Sequence, residues 1–139
     1  MLPEGRLTPG LLASGLGRIG RPHEGLQVVE EGLVSVAKTG LQLDIPILHH
    51  TKGELLLLVQ RPSNEQAELC FRTAIEIARR LSARSMELRA TTSLARLVAK
   101  QGRRANASLM LGDIYSRFTE GFDTVDLKAA KALLDQLDG

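Results

Sequence analysis

Apolar residues recur three and four positions apart along most of the chain, and short polar turns interrupt this pattern at intervals. The clearest case is residues 53 to 80, where an apolar helix end leads into a turn at 61 to 64 and then into an amphipathic helix. Pro62 disfavours helix in the residue before it, and Ser63 stands three residues ahead of Gln66, which is the spacing of a capping box. No segment of any length shows the alternation of a strand. The pattern predicts an all-α protein.

The helical segments group into three hairpins and one final helix. The hairpins span about residues 11 to 39, 46 to 81 and 86 to 118, a capping helix spans about 124 to 138, and residues 1 to 10 form an irregular lead-in. We predict the individual helices at about 11 to 19, 22 to 38, 47 to 59, 63 to 80, 86 to 100, 105 to 118 and 125 to 137, with a linker at 43 to 46. A chain of 139 residues is long enough to bury one core, so residues 11 to 139 are expected to form a single domain.

The three hairpins share a register of small and large side chains with a period of 40 to 42 residues. Small residues occupy equivalent places in the first helices, namely Ala13, Gly53 and Ala95, and in the second helices, namely Gly25, Ala67 and Ala107. Four and seven residues after each second-helix position come Val29, Phe71 and Leu111, then Gly32, Ala74 and Ile114. We refer to these twelve residues as the repeat positions. Because small residues allow paired helices to cross closely, and because the register recurs at a fixed period, the sequence predicts an α-solenoid.

This register resembles the tetratricopeptide repeat (TPR), whose signature includes small residues in both helices and an aromatic in the second. The match is best in residues 46 to 80, and the period exceeds the family's repeat of about 34 residues. Residues 53 to 137, with the segments GRRANA and FTEGFDTVDLKAAKALLDQL, also resemble the carboxy-terminal tail of large bacterial regulators. Those regulators join a nucleotide cyclase or winged-helix transcription domain to a nucleotide-binding ATPase domain and a TPR-like tail. The resemblance implies a non-enzymatic scaffold that binds a protein or peptide, or a regulatory module of a larger assembly.

The sequence carries no motif for catalysis, for a metal or for a cofactor. The segment 102 to 104 lacks the lysine and the strand of a phosphate-binding loop. His49 and His50 are adjacent, so on a helix they point ~100° apart and do not converge on one ion. Cys70 falls on a predicted buried stripe, where a thiol acts as a small hydrophobe. We therefore expect neither an enzyme nor a metal or cofactor site.

Other sequence features point to a cytoplasmic protein. The longest apolar run, residues 55 to 59, is far shorter than the roughly 20 residues of a membrane span. The first ten residues lack the basic and then apolar layout of a secretion signal. A single cysteine excludes an internal disulfide and fits a reducing compartment.

Charge is distributed unevenly although the formal net charge is only +2. Residues 72 to 104 contain nine Arg or Lys and two Glu, a local charge of +7, whereas residues 120 to 139 contain five acids and two lysines, a local charge of −3. The basic segment therefore either attracts an anionic partner or pairs with the acidic end of the chain. A nucleic-acid-associated regulatory module that uses residues 72 to 104 is the alternative function, although no aromatic residues are interleaved with its cations.

The TPR resemblance places the first helices of the hairpins along a concave groove. It assigns six residues to a candidate partner site, namely His50, Glu54, Arg89, Thr92, Arg96 and Lys100. Arg89, Arg96 and Lys100 are spaced by seven and four residues, so they share nearly one helix face. This face is either a basic wall that holds an acidic segment or a terminal carboxylate, or a solvated face that pairs with the acidic end of the chain.

The first hairpin is the least regular of the three and lacks a polar cap. Its leading helix is short and contains two glycines, yet Leu26, Val29 and Leu33 in its second helix require burial. A second copy of the chain is the simplest cover for the apolar surface left over, so we predict a homodimer.

Overall fold

Helices make up all of the regular structure in this computed structural model, which describes residues 8 to 39 and 42 to 138. Seven helices occur in these residues: α1 (Pro9–Arg18), α2 (Pro22–Thr39), α3 (Asp44–Leu56), α4 (Asn64–Arg80), α5 (Arg84–Lys100), α6 (Arg104–Tyr115) and α7 (Val125–Asp138). The predicted all-α class is confirmed. Across the part of the chain that is described, none of the helices combines the length and the apolar character needed to cross a lipid bilayer.

The chain divides into two compact units, Met1–Ala74 and Ile75–Gly139, and the boundary falls inside α4. In the first unit, α1 packs against α2 and α3, and α2 packs against α3. In the second unit, α5 packs against α6 and α7, and α6 packs against α7. Helices that follow one another in the sequence therefore lie against one another in each unit, as a series of helical hairpins requires. The assignment of residues 11 to 139 to a single domain stays a prediction.

Three helices begin with a hydroxyl side chain that accepts a hydrogen bond from a backbone N–H in the first turn. The acceptors are Thr8 Oγ1 before α1, Ser63 Oγ before α4 and Thr124 Oγ1 before α7, at 3.3, 3.3 and 3.4 Å from the respective donor nitrogens. Each hydroxyl satisfies a donor that has no partner within the helix. The N-cap role predicted for Ser63 is confirmed, and Thr124 caps α7.

Two of the interhelical turns are built in the same way. Gly20 after α1 and Gly102 after α5 have φ of +84° and +86°, in the left-handed region that glycine adopts without strain. In both turns the next residue donates its N–H to a carbonyl five residues earlier, at 2.8 and 3.1 Å. This is the Schellman ending of a helix. Ser82 makes a similar turn between α4 and α5 with φ +57°, a conformation that is less favourable for a residue with a side chain.

Three predicted helix boundaries were wrong. The segment 43 to 46 is not a linker, because α3 begins at Asp44 and includes Pro46 in its first turn, where the missing N–H would have had no helical acceptor. Helix α3 ends at Leu56 rather than near residue 59, and α6 ends at Tyr115 rather than 118. After both helices the chain continues with tighter bonds between a backbone N–H and the carbonyl three residues earlier, at 3.0 to 3.2 Å.

The core follows the register that the sequence predicts. All twelve repeat positions are buried. In the first unit, Ala13 and Val29 belong to a cluster of buried side chains that also contains Val36, Leu48 and Leu55. Val36 completes the buried stripe of α2, and Ala37 is exposed. In α7 the buried positions are Leu127, Ala130 and Leu133, spaced three residues apart.

At two glycines of the repeat positions, a neighbouring helix approaches the helix backbone closely. A Cβ atom on Gly53 of α3 would lie 2.5 Å from Cε1 of Phe71 in α4, so the phenyl ring rests directly on the helix backbone. A Cβ atom on Gly25 of α2 would lie 2.8 Å from the carbonyl oxygen of Ala13 in α1. Real side chains do not fit at these distances, which explains why the pattern of small residues could be read from the sequence.

Candidate functional site

The six residues of the predicted partner site lie in different units. His50 and Glu54 are on α3 in the first unit, whereas the other four are on α5 in the second unit. The assembly of all six into one surface stays a prediction, and the local surroundings of each group follow from its own unit.

The α3 pair consists of a buried imidazole and a more exposed carboxylate. His50 is 9% exposed, and its ring centroid lies 5.8 Å from that of Phe71 with an interplanar angle of 43°. The Nε2 atom of His50 lies 3.2 Å from Oε1 of Glu54, one helical turn later. The imidazole therefore packs into the core of the first unit, and Glu54 is the member of this pair that a partner reaches more easily.

Helix α5 is covered on most of its circumference, because eleven of its 17 residues are buried. Thr92 is one of these, with 5% exposure, and its hydroxyl donates a hydrogen bond of 2.9 Å to the carbonyl of Leu88. Thr92 is thus inaccessible to a partner in this conformation. The exposed residues of α5 form a narrow row that consists of Arg84, Ser85, Arg89, Arg96 and Lys100.

Arg89 is engaged by the acidic end of the chain. Its Nε and Nη2 atoms donate to Oδ1 and Oδ2 of Asp126, both at 3.1 Å, which is a bidentate arrangement. The arginine side chain is 48% exposed and the aspartate side chain 21%. Of the two interpretations that the sequence left open, pairing with the acidic end is the one observed at this residue.

Arg96 and Lys100 differ from Arg89 in their surroundings. Both are exposed and lie one helical turn apart on α5. Neither has a hydrogen-bonding side-chain partner or an ion pair among residues 8 to 39 and 42 to 138. We refer to these two residues as the α5 cation pair.

Most other cations of the basic segment form ion pairs or hydrogen bonds within their own unit. Three of them form ion pairs at 3.0 to 3.8 Å, namely Arg72 with Glu68, Arg79 with Glu87 and Arg80 with Glu76. Arg104 donates to the carbonyls of Gln136 and Leu137 at the end of α7, at 2.7 and 3.1 Å. The local charge of +7 in the sequence therefore does not correspond to a continuous row of available cations.

A buried carboxylate went unnoticed in the sequence. The side chain of Glu87 on α5 is only 8% exposed and lies 3.0 Å from Nη2 of Arg79 and 4.0 Å from Nη1 of Arg117. Arg117 also bonds Asp113 at 2.8 Å. These contacts tie the start of α5 to the ends of α4 and α6. No spacing in the sequence distinguishes Glu87 from a solvated acid, since its partners are 8 and 30 residues away.

A half-open cleft of about 280 Å³ lies beside the Arg89–Asp126 contact. It is lined by the start of α5, the connection between α6 and α7, and the start of α7. Arg84 and Arg117 contribute positive charge to its wall, and Glu120 and Asp126 contribute negative charge. The opposing charges balance, so the cleft does not select an anion or a cation by charge.

In the first unit, titratable groups meet where α3 faces α2 and α4. Lys52 Nζ lies 2.7 Å from Oε1 of Glu30. Burial lowers the pKa of His49, and the nearby ammonium of Lys52 lowers it further. Burial raises the pKa of the Cys70 thiol, so it is a poor nucleophile at neutral pH. Among the described residues, no three His, Cys, Asp or Glu side chains converge in a way that could hold a metal ion.

Comparison of the chain with protein-family models, with curated proteins and with solved structures finds no match.

Proposed function

We propose that this chain is a non-enzymatic helical-repeat module of TPR type that binds an acidic protein or peptide segment, as the regulatory tail of a larger signalling or transcription regulator. The α5 cation pair is the observation that carries the proposal. Arg96 and Lys100 are exposed on a helix that is otherwise largely buried, and the described part of the chain offers them no counter-ion.

Three features support the repeat assignment. The twelve repeat positions are all buried, including the aromatic side chain of Phe71 on the backbone of Gly53. The glycine turns after α1 and α5 have the same dihedral angle and the same hydrogen bonds. Consecutive helices pack against one another within each unit. Such packing of short helical hairpins with a repeated register is the construction principle of helical solenoids.

The spacing of the α5 cation pair indicates what kind of segment it fits. Residues four apart on a helix are separated by about 6 Å along the axis. Carboxylates at that separation occur four residues apart on a helix, or two residues apart on an extended chain, where the distance is about 7 Å. The arginine of this pair offers a planar guanidinium that can donate two parallel hydrogen bonds to a carboxylate, and the lysine offers a compact ammonium group. Binding at such an exposed site depends on salt.

The test is the binding of a fluorescent Glu-rich peptide to the full chain, followed by anisotropy at low and at physiological salt. We expect Arg96→Glu with Lys100→Glu to weaken binding by about tenfold or more, because both donors become repulsive. The control combines Arg61→Glu with Lys128→Glu, which changes the net charge equally at two other exposed positions. If the control weakens binding as much as the test variant, the α5 cation pair is not the site.

The same assay separates the proposal from the nucleic-acid alternative. A single-stranded oligonucleotide replaces the peptide, and the affinity is measured as a function of salt. Contacts with several phosphates give a steep linear loss of log affinity with log salt. Tight and steeply salt-dependent binding of the oligonucleotide, together with no binding of the peptide, would replace the peptide-binding proposal with the alternative.

We also propose that a second copy of the chain covers part of the first unit. Four large apolar side chains of α1 and α2, or of the turn between them, are 40 to 66% exposed, namely Leu11, Leu12, Ile19 and Val34. A symmetric pair would bury the same side chains on both copies. Sedimentation at micromolar concentration should then give twice the 15.1 kDa chain mass, and Ile19→Glu should shift the protein to a monomer. A wild-type monomer at high concentration would exclude this pairing.

A further inference from the structure

We infer that α7 carries a built-in competitor for the acidic partner: the carboxylate of Asp126 occupies Arg89, which shares a helix face with the α5 cation pair, and an acidic segment reaches Arg89 only by displacing it. This inference rests on the proposed function, because it concerns the same row of cations. It adds that only two of the three cations on the face of Arg89, Arg96 and Lys100 are available in the free protein.

The geometry places Asp126 where a partner's carboxylate would bind. Arg89 precedes Arg96 by seven residues, about two turns or 10 Å along the same helix face. Both oxygens of Asp126 accept from the guanidinium of Arg89, at 3.1 Å each. A ligand carboxylate would use these same donors, so the two acids exclude each other at this arginine.

Asp126 is the acid of α7 that reaches α5. Asp135 pairs with Lys131 on its own helix at 2.7 Å, and Asp138 accepts from Ser108 of α6 at 3.1 Å. The basic residues Arg96 and Lys100 receive no such carboxylate from the described chain. Of the three cations on the face of Arg89, Arg96 and Lys100, one is therefore engaged by a specific contact and two remain available.

Displacement of Asp126 leaves α7 in place. The helix is fixed by the buried residues Leu127, Ala130 and Leu133, and its last carbonyls accept from Arg104. Its first turn is capped by Thr124. The Arg89–Asp126 contact is half exposed, and exchange of its carboxylate needs only a rotation of two side chains. The competitor therefore adjusts the affinity for a partner without unfolding the second unit.

The test compares two Ala-rich helical peptides of equal length with the full chain. One peptide carries two glutamates four residues apart, and the other carries a third glutamate seven residues before them. For Asp126→Asn we expect the three-glutamate peptide to bind about two- to fivefold more tightly than it binds the wild type, the range that a half-exposed ion pair supplies. Binding of the two-glutamate peptide should not change.

Two control variants test whether the gain in affinity comes from the release of Arg89. Asp135→Asn removes the same charge from α7 and should leave both affinities unchanged. Arg89→Gln combined with Asp126→Asn should remove the gain for the three-glutamate peptide. A thermal melt and the two-glutamate peptide report whether Asp126→Asn is folded, and Asp126→Ser replaces it if it is not.

Each remaining outcome has one meaning. Equal binding of the three-glutamate peptide to the wild type and to Asp126→Asn overturns the competitor and leaves the proposed function standing. An equal gain for both peptides also overturns it, because the effect is then one of net charge. If neither peptide binds the wild type or the variant, the proposed function fails and the competitor fails with it.

Discussion

The two units achieve close helix packing with different residues. In the first unit, glycines within α1, α2 and α3 stand where an added Cβ would meet a neighbouring helix at 2.5 to 3.0 Å, namely Gly10, Gly17, Gly25, Gly32 and Gly53. In the second unit, the fully buried small residues of the described helices are alanines, namely Ala78, Ala90, Ala95, Ala107 and Ala130. Of its described glycines, Gly102 and Gly121 lie in turns, and Gly112 lies at ordinary contact distance from a neighbour.

This difference has a thermodynamic consequence. A glycine inside a helix is less favourable than alanine by roughly 0.5–1 kcal/mol, because it loses more backbone freedom on folding. In the first unit, glycines thus allow the helices to pack closely but make each helix less stable. The second unit combines strong helix formers with polar contacts, such as those of Arg89 with Asp126 and of Arg104 with the end of α7. We expect the first unit to open more readily, so its amides should exchange with solvent sooner.

Removal of α7 should have the largest effect, because it destabilises the second of the two units compared above. Truncation after Phe122 exposes the partners of Leu127, Ala130 and Leu133 and deletes the contacts of Arg89 and Arg104. Urea unfolding should lose its cooperative transition for the second unit, or the protein should aggregate. Lys128→Ala with Asp135→Ala, at exposed sites of α7, is the control and should unfold like the wild type. A truncated monomer of wild-type stability would show that α7 is dispensable.

A pair of glycine substitutions tests the packing of the first unit directly. Gly25→Ala forces a Cβ to within 2.8 Å of a backbone oxygen that has no rotamer to change, and should destabilise the protein by about 1–3 kcal/mol. Gly15→Ala is the matched control, because nothing lies within 4 Å of its added Cβ. It should stabilise α1 by roughly 0.5–1 kcal/mol. Chemical denaturation measures both, and changes of the same sign would contradict the assigned contact.

Loss of either threonine N-cap should have a smaller effect, and it tests whether the two units open separately. Thr8→Ala and Thr124→Ala each remove one hydroxyl acceptor at the start of α1 and α7, and each should cost about 1 kcal/mol. If the units open separately, the first variant should accelerate amide exchange in the first unit alone, and the second variant in the second unit alone. Equal acceleration in both units after either change would mean that the chain unfolds as one cooperative body.

The smallest effect should be a pH dependence of the free energy of unfolding that arises from His49 in the first unit. Burial lowers the pKa of His49 below its ordinary value of 6.5, so the unfolded chain binds a proton more readily than the folded one. The free energy of unfolding should therefore fall as the pH drops below about 6.5 and level off below the lowered folded pKa. Between pH 7.5 and 5.5, His49→Gln should reduce this slope. An unchanged slope in His49→Gln would remove His49 as its source.

The parts of the fold that depend on side-chain volume along a single helix could be predicted from the sequence. The spacing of small residues identified the eight glycines and alanines among the repeat positions, because a tight helix crossing excludes large side chains wherever it occurs, and their common period located the other four. Helix ends were less predictable. Pro46 suggested a linker but lies in the first turn of α3, and the tighter turns after Leu56 and Tyr115 have no signature in the sequence.

The candidate site was less predictable, because it depends on which side chains meet across long stretches of sequence. Spacing placed Arg89, Arg96 and Lys100 on one helix face, and all three are exposed. It gave no means of choosing between solvent and Asp126, 37 residues away, as the neighbour of Arg89. Thr92 lies near the same face by spacing but is buried, since the width of an exposed row depends on how the neighbouring helices cover it.

The turns at Gly20 and Gly102 make the chain extensible in a defined way. Residues 21 to 102 begin immediately after one such turn and end on the other, so a duplicate of this segment would join Gly102 to Arg21. That junction would follow α5 with a left-handed glycine and an arginine, as the native chain already does with Gly102 and Arg103. A longer protein could therefore arise by simple tandem duplication of the gene segment, with no new turn sequence to invent at the joint.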